Sequence, residues 1–161
     1  MQHITPCLGF QNEAQEAAEF YVSVFPNSRI VKVMHHTAAT AVPAASAAGA
    51  VATVTFELNG QRFLAFNGAP QTQFTMALSL VANCDRQDEV DQLWERLAEG
   101  GQAHECGWVT DRYGISWQID PTIVEETLRG DDEASMERMF LALTSMQKLD
   151  VAALEAAAAG R

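Results

Sequence analysis

Basic side chains are scarce: 10 Lys and Arg stand against 21 Asp and Glu, leaving a formal charge of -11 at pH 7. Neutralising a phosphate backbone takes a basic stripe, and none interrupts this acidic balance, so nucleic acid is excluded as an expected partner. Cysteine is sparse too. Cys7, Cys84 and Cys106 are odd in number and widely spaced, which matches neither a disulfide framework nor a Cys-x-x-Cys metal or redox site and points to a reducing compartment. No run approaches the ~18 apolar residues of a membrane span, and the opening MQHITPCLGF lacks the basic-then-apolar order of a leader. The expected setting is cytoplasmic, with no membrane partner. What remains is a chain of 161 residues, 48% hydrophobic, long enough to bury a core without covalent staples and too short for two ordinary domains.

Ile4 to Phe10 reads as a strand, and Asn12 offers a helix N-cap with Gln15 three residues on, as in a capping box. Ala14, Ala17, Ala18, Tyr21 and Phe25 supply the helical stripe, and Pro26-Asn27 ends it. Ser28 to His35 is a second strand. Thr37 to Ala50 holds neither charge nor large side chain and reads as a mobile loop. Ala52, Val54, Phe56 and Leu58 alternate on the next strand, and Asn59-Gly60 signals a two-residue type I′ hairpin turn. That turn sets a register in which Phe56 faces Phe63 on an apolar side, while Thr53, Thr55, Glu57, Arg62, Leu64 and Phe66 share the other.

Met76 to Ala82 reads as a strand, Asp85 as the cap of a helix with stripe Val90, Leu93, Trp94 and Leu97, and Gly100-Gly101 as its stop. Superposing the two helices pairs Asn12 with Asp85 and Tyr21 with Trp94 at one offset (85 − 12 = 73; 94 − 21 = 73), implying an internal duplication. Two short strands, around Glu105 to Thr110 and Ile115 to Asp120, flank a turn at Asp111-Arg112-Tyr113-Gly114. Beyond Pro121 the pattern is helical over Ile123 to Leu128, Ala134 to Met146 and Val151 to Ala159, the last capped by Asp150. The stripe Met136, Met139, Phe140, Leu143 and Met146 suggests docking on its own sheet or on a partner subunit. The expectation is one α+β domain over 1–161, with module 1 over about 1–70, module 2 over about 71–121 and a helical extension over 122–161.

The runs ITPCLGFQNEAQEAAEFYVSVFPNSRI, FELNGQRFLAFNGAP, CGWVTDRYGISWQIDP and MQKLDVAALEAA together resemble the PhnB-like branch of the vicinal-oxygen-chelate superfamily. That branch is often named 3-demethylubiquinone-9 3-methyltransferase. The resemblance implies two βαβββ modules with helices outside, a small-molecule cleft inside, and a homodimer. It leaves the reaction open, because the superfamily holds isomerases, dioxygenases, transferases and proteins that merely bind a drug.

Metal-dependent members of that superfamily place His, Glu or Gln ligands on the first and last strands of each module. Here Ile4 to Phe10 offers only Cys7, Phe63 to Asn67 and Phe74 to Ala82 offer no His or acid, and Gln118 stands where the D-x-x-G-x-x-W-x pattern usually delivers a Glu. A lone amide is a weak ligand for a hard cation, so no metal and no other cofactor is expected, with His3 relevant only if the first strand shifted register. His35 and His36 are adjacent and point to opposite faces of a strand, and Cys106 reads as a small core residue rather than a nucleophile. The methyltransferase name finds no support, since no Gly-rich turn follows a first strand. The candidate cleft residues are Thr53, Thr55, Phe66, Trp108, Ser116 and Gln118. Two readings stay open: an enzyme-like cleft protein acting on a small molecule, and a non-catalytic sequestering protein.

Overall fold

The structure, a computed structural model, describes residues 4–41, 47–69 and 73–161 and divides into two units, Met1–Thr72 and Gln73–Arg161. The first unit runs β1 (Cys7–Phe10), α1 (Ala14–Val24), β2 (Arg29–His35), β3 (Val51–Leu58) and β4 (Gln61–Asn67), with strands ordered β1-β4-β3-β2. Only β1 and β4 are parallel. Asn59 and Gly60 both take positive φ (44° and 84°), as a type I′ turn requires. The register follows from that turn: Thr53 pairs with Phe66, Phe56 with Phe63 and Glu57 with Arg62. Alternation then sends Val54, Phe56, Leu58, Phe63 and Ala65 to one face, where Ala14, Ala17, Ala18 and Tyr21 of α1 cover them, all buried. Three alanines on that helix let it lie close to the sheet. Phe56 stacks between Phe63 and Tyr21, with ring centroids at 5.4 and 6.3 Å, and each such buried side chain contributes about 1.5–3 kcal/mol.

Asn12 is not the cap that its position suggests. Glu13 holds the N-cap position without a side-chain cap bond, and the Ala14 N–H instead donates to Asn67 Oδ1 at 2.9 Å. Asn67 also donates from Nδ2 to Val51 O (3.1 Å), so one amide ties the end of β4 to the starts of β3 and α1. Local spacing cannot reveal a cap delivered from more than fifty residues away. Of the expected mobile loop, residues 42–46 lie outside the described residues, while His36 and Ala50 are joined by a 2.8 Å backbone bond.

The second unit runs β5 (Ser79–Cys84), α2 (Gln87–Ala98), β6 (Gln102–Ala103), β7 (Trp108–Thr110) and β8 (Ser116–Pro121), ordered β5-β8-β7-β6 with β5 and β8 parallel. It repeats the order of the first, and its helix starts at the same offset (87 − 14 = 73). The strand expected over Met76–Ala82 begins only at Ser79, because Ser79 already pairs with Ser116, the first residue of β8, and among the described residues no strand pairs with those before it. The two-residue β6 is too short for sequence alternation to show. Asp85 does not cap α2 with its side chain: Glu89 accepts the Asp85 N–H (2.8 Å), and the Asp85 carboxylate accepts Thr122 Oγ1 (2.7 Å). A Cβ on Gly101 would stand 2.2 Å from Thr110 O, so only glycine permits this approach to β7.

After β8 come α3 (Thr122–Arg129), α4 (Glu133–Thr144) and α5 (Val151–Ala158), the last capped by Asp150 through the Ala153 N–H (2.9 Å) as expected. Val124, Met139, Leu143, Leu149 and Leu154 form one buried cluster. The methionine stripe is thereby divided: Met139 and Leu143 pack within the chain, whereas Phe140 remains 47% exposed. Gln87 of α2 fastens the tail, donating to Leu149 O and accepting from Val151 N, and Lys148 pairs with Asp91 at 2.6 Å. Among the described residues no helix is long and apolar enough to cross a membrane.

Candidate functional site

The β7–β8 turn is built around Asp111, which is only 3% exposed. Its Oδ1 accepts the N–H groups of Tyr113 (2.8 Å) and Ile115 (3.0 Å), and its Oδ2 accepts Trp117 Nε1 (2.8 Å). The D-R-Y-G-I-S-W run is thus a folding device: one carboxylate closes the turn, Gly114 supplies φ 86°, and Trp117 is held against α2's side of the sheet. With Trp117 and Ile119 buried on that side, alternation turns Ser116, Gln118 and Asp120 toward the face that α2 does not cover.

Cross-strand pairing lays out that face in rows. Ser116 lies between Ser79 and Thr110, Gln118 between Val81 and Trp108, and Asp120 opposite Asn83. Gln118 donates from Nε2 to Ser79 Oγ at 2.7 Å, which orients its amide, and His104 Nε2 lies 2.9 Å from Thr110 Oγ1. Ser116 is buried, and Trp108, Gln118 and Asp120 are half-buried. A groove of about 480 Å³ opens beside Trp108, lined also by Met76, His104, Cys106 and Gln147. Cys106 takes φ 61° and is half-buried, packing against the C-terminal cluster while facing this groove. The Cys84 thiol, by contrast, is buried on the helix side, and burial pushes it up to about 12.

Asp120 is a functional candidate that the sequence motifs do not single out. Burial raises its carboxyl to about 6, and no hydrogen bond or ion pair offsets that burial among the described residues. The signal that could have found it is the alternation itself, since any residue two beyond Gln118 shares its face.

The first sheet has its own helix-free face. Thr53 and Phe66 are register partners there, Thr55 pairs with Leu64 and Lys32, and Met34 stands opposite Thr53. A Cβ on Gly9 would meet the Phe66 ring at 2.9 Å, so that ring rests across β1. Glu57 joins Arg29 (2.9 Å) and Arg62 (3.4 Å), and the hydrogen bond from Arg29 leads the effects that hold its carboxyl below the usual range. Of the six candidate cleft residues, the structure therefore gathers Thr53, Thr55 and Phe66 on one face, and Trp108, Ser116 and Gln118 on another. His35 is exposed. His36 Nδ1 lies 3.2 Å from Thr40 O, and its Nε2 is buried without a hydrogen-bond partner among the described residues.

The family model for 3-demethylubiquinone-9 3-methyltransferase matches residues 2–120. The chain belongs to this family. A Bacillus cereus protein described as a 3-demethylubiquinone-9 3-methyltransferase, PhnB protein, is 32% identical, with 74% of this chain and 99% of that one covered at a TM-score of 0.67. Protein PA1353 from Pseudomonas aeruginosa is 19% identical over 75% of this chain and 98% of its own, at 0.59. The fosfomycin resistance protein FosX from Listeria monocytogenes shares the fold at 15% identity, with 80% and 98% covered and a TM-score of 0.56. No curated protein matches. The two four-stranded sheets with their helices place this PhnB-like chain in the vicinal-oxygen-chelate superfamily, as the sequence resemblance implied.

Against the metal-binding pattern of that superfamily, the donor set of this family member is thin. On β1 the candidate is the exposed Cys7, β4 turns Leu64 and Phe66 to its open face, β5 turns Ser79 and Val81, and β8 presents Gln118, already engaged with Ser79. Among the described residues no group of three or more His, Cys, Asp or Glu comes together, and His3 lies outside them. One amide and one thiol do not fit a hard divalent cation.

Proposed function

We propose that this PhnB-like protein binds or acts on a small organic molecule at the helix-free face of its second sheet, without a metal ion. The observation that carries the reading is that Trp108, Gln118 and Asp120 are half-buried on one sheet face, with Trp108 also lining a groove of about 480 Å³. Such a surface has an aromatic wall, an oriented amide and a carboxyl without a partner among the described residues, the mixture that small-molecule sites use to fix a ligand. Of the residues singled out from the sequence, Trp108, Ser116 and Gln118 are the proposed ligand contacts on this face, to which Asp120 is added, while Thr53, Thr55 and Phe66 are proposed as contacts on the first unit's own helix-free face. The family's name does not describe the reaction proposed here: the β1–α1 connection, Gln11-Asn12-Glu13, holds no glycine to cradle a nucleotide-like cofactor.

A thermal-shift screen of a metabolite library on the wild type, Trp108→Ala and Gln118→Ala tests the site. A ligand at a hundred times its Kd stabilises the folded state by about 2.7 kcal/mol, so true hits are easily seen and should be lost or weakened in both variants. Hits indifferent to both substitutions would remove the site from this face. A hit recovered unchanged after incubation favours the sequestering reading, and a transformed one favours catalysis. Elemental analysis showing one divalent ion per chain would overturn the metal-free part.

A further inference from the structure

The helix-free face of the second sheet is built from Ser79, Val81 and Asn83 of β5, Ser116, Gln118 and Asp120 of β8, and Trp108 and Thr110 of β7. Lys and Arg are absent from this set. An anionic ligand would find hydroxyls, an amide and, at the edge of the face, the His104 ring 2.9 Å from Thr110 Oγ1, but no lysine or arginine, and would meet the Asp120 carboxyl. Asp120 itself is half-buried, and among the described residues it has neither a hydrogen-bond donor nor a basic partner. Leaving a carboxylate in that state is costly, and a carboxylate so placed gains most from whatever cation reaches it.

Trp108 is the second half of the feature. It pairs with Gln118 across the β7–β8 ladder, which puts it diagonal to Asp120, about 7–8 Å away by ordinary sheet geometry. The ladder continues through the Ile119 N–H to Gly107 O bond (2.9 Å), bringing the turn at Cys106 and Gly107 alongside the end of β8. An ammonium group seated between an indole face and a carboxylate is held by both, through the ring's negative face and through direct charge pairing.

We infer that this face takes a ligand bearing a cationic amine, with Asp120 as its counter-ion and the Trp108 ring beside it. The assignment rests on the small-molecule reading above and narrows it to a ligand class. Burial that raises the Asp120 carboxyl is the cost that such a cation relieves. The formal charge of -11 on the chain also draws cations toward it, though without preference for this face.

The test uses three probes of nearly one size: benzylamine, benzyl alcohol and benzoate. Each is titrated into isotope-labelled full-length protein at pH 7.5, following the Trp108 indole N–H and the β8 amides by NMR. Benzylamine should bind about tenfold tighter than benzyl alcohol, as cation–π and ion-pair attraction together allow, and benzoate weakest of all. Asp120→Asn, with Asp120→Ser in reserve should the first fail to fold, should cut the benzylamine preference from about tenfold to about the two- to threefold that the Trp108 ring alone supplies. Equal binding of the three probes, or a preference for benzoate, would overturn the cation assignment while leaving a small-molecule site in place. A benzylamine preference undiminished in the Asp120 variants would trace it to the Trp108 ring or the overall charge and remove Asp120 from the assignment. If no probe moves Trp108 or β8, this inference and the site reading beneath it both fall.

Discussion

Asp111, in the turn that leads into β8, and Asp120, near the end of that strand, hold their carboxylates in opposite settings. Three donors surround Asp111, which makes its burial favourable and its removal expensive, since the Tyr113 and Ile115 amides and the Trp117 indole would each be stranded. Asp120 is half-buried with no partner among the described residues to offset the loss of water, and its carboxyl is raised to about 6 by that burial. In the unfolded chain the same group titrates near 4. Because its folded value is the higher one, the stability it contributes is fully present below about pH 4 and is lost as pH rises through about 6. At about 1.4 kcal/mol per pH unit, the loss across that window is about 3 kcal/mol. Glu57, Asp88 and Asp91 lie on the other side of their ordinary values and act at the acid end, so the wild-type curve mixes both signs. Chemical denaturation of wild type and Asp120→Asn from pH 4 to 7.5 separates them. The variant should be the more stable protein at pH 7.5, and the difference should shrink toward pH 4; a difference that is constant with pH would mean that Asp120 titrates normally.

Among the elements, α4 shows how adjacent positions on one helix can differ. Met139 is fully buried among Val124, Leu149 and Leu154, while Phe140 next to it is 47% exposed. Met139→Ala should cost about 2–4 kcal/mol in urea unfolding, the range for a truncated core side chain, and Phe140→Ala less than about 1 kcal/mol. Equal costs would show that α4 packs by a different face. From the sequence the stripe is visible but its division is not, because helical spacing gives an apolar face without saying what occupies each part of it. The β3–β4 hairpin is legible to the residue, since Asn59-Gly60 prescribes both turn type and register. Met76 to Leu78 are apolar enough to pass for a strand, and only the starting point of β8 shows that they have no partner. Of the site, Trp108, Ser116 and Gln118 follow from alternation. Asp120 escapes a motif-based reading because it lies beyond the position where relatives carry a ligand, although the same alternation continues through it.

For the molecule as a whole, Leu128, Phe140 and Leu141 of the C-terminal helices leave apolar surface exposed at 49%, 47% and 67%. The expected outcome is a homodimer that uses this surface, and light scattering at micromolar concentration should report about twice the 17.5 kDa chain mass. Phe140→Asp should return it to one chain; a wild-type monomer would confine those helices to their own subunit. The same helices bear on ligand choice in another way. The family match ends at residue 120, yet Met146 and Gln147, which follow α4, receive the backbone N–H groups of Cys106 and Gly107, and Gln147 forms part of the groove wall. The groove is thus walled in part by the second sheet and in part by the segment that follows α4, beyond the matched residues. A substitution at Gln147 can therefore change what this pocket admits while every strand of the sheet keeps its register.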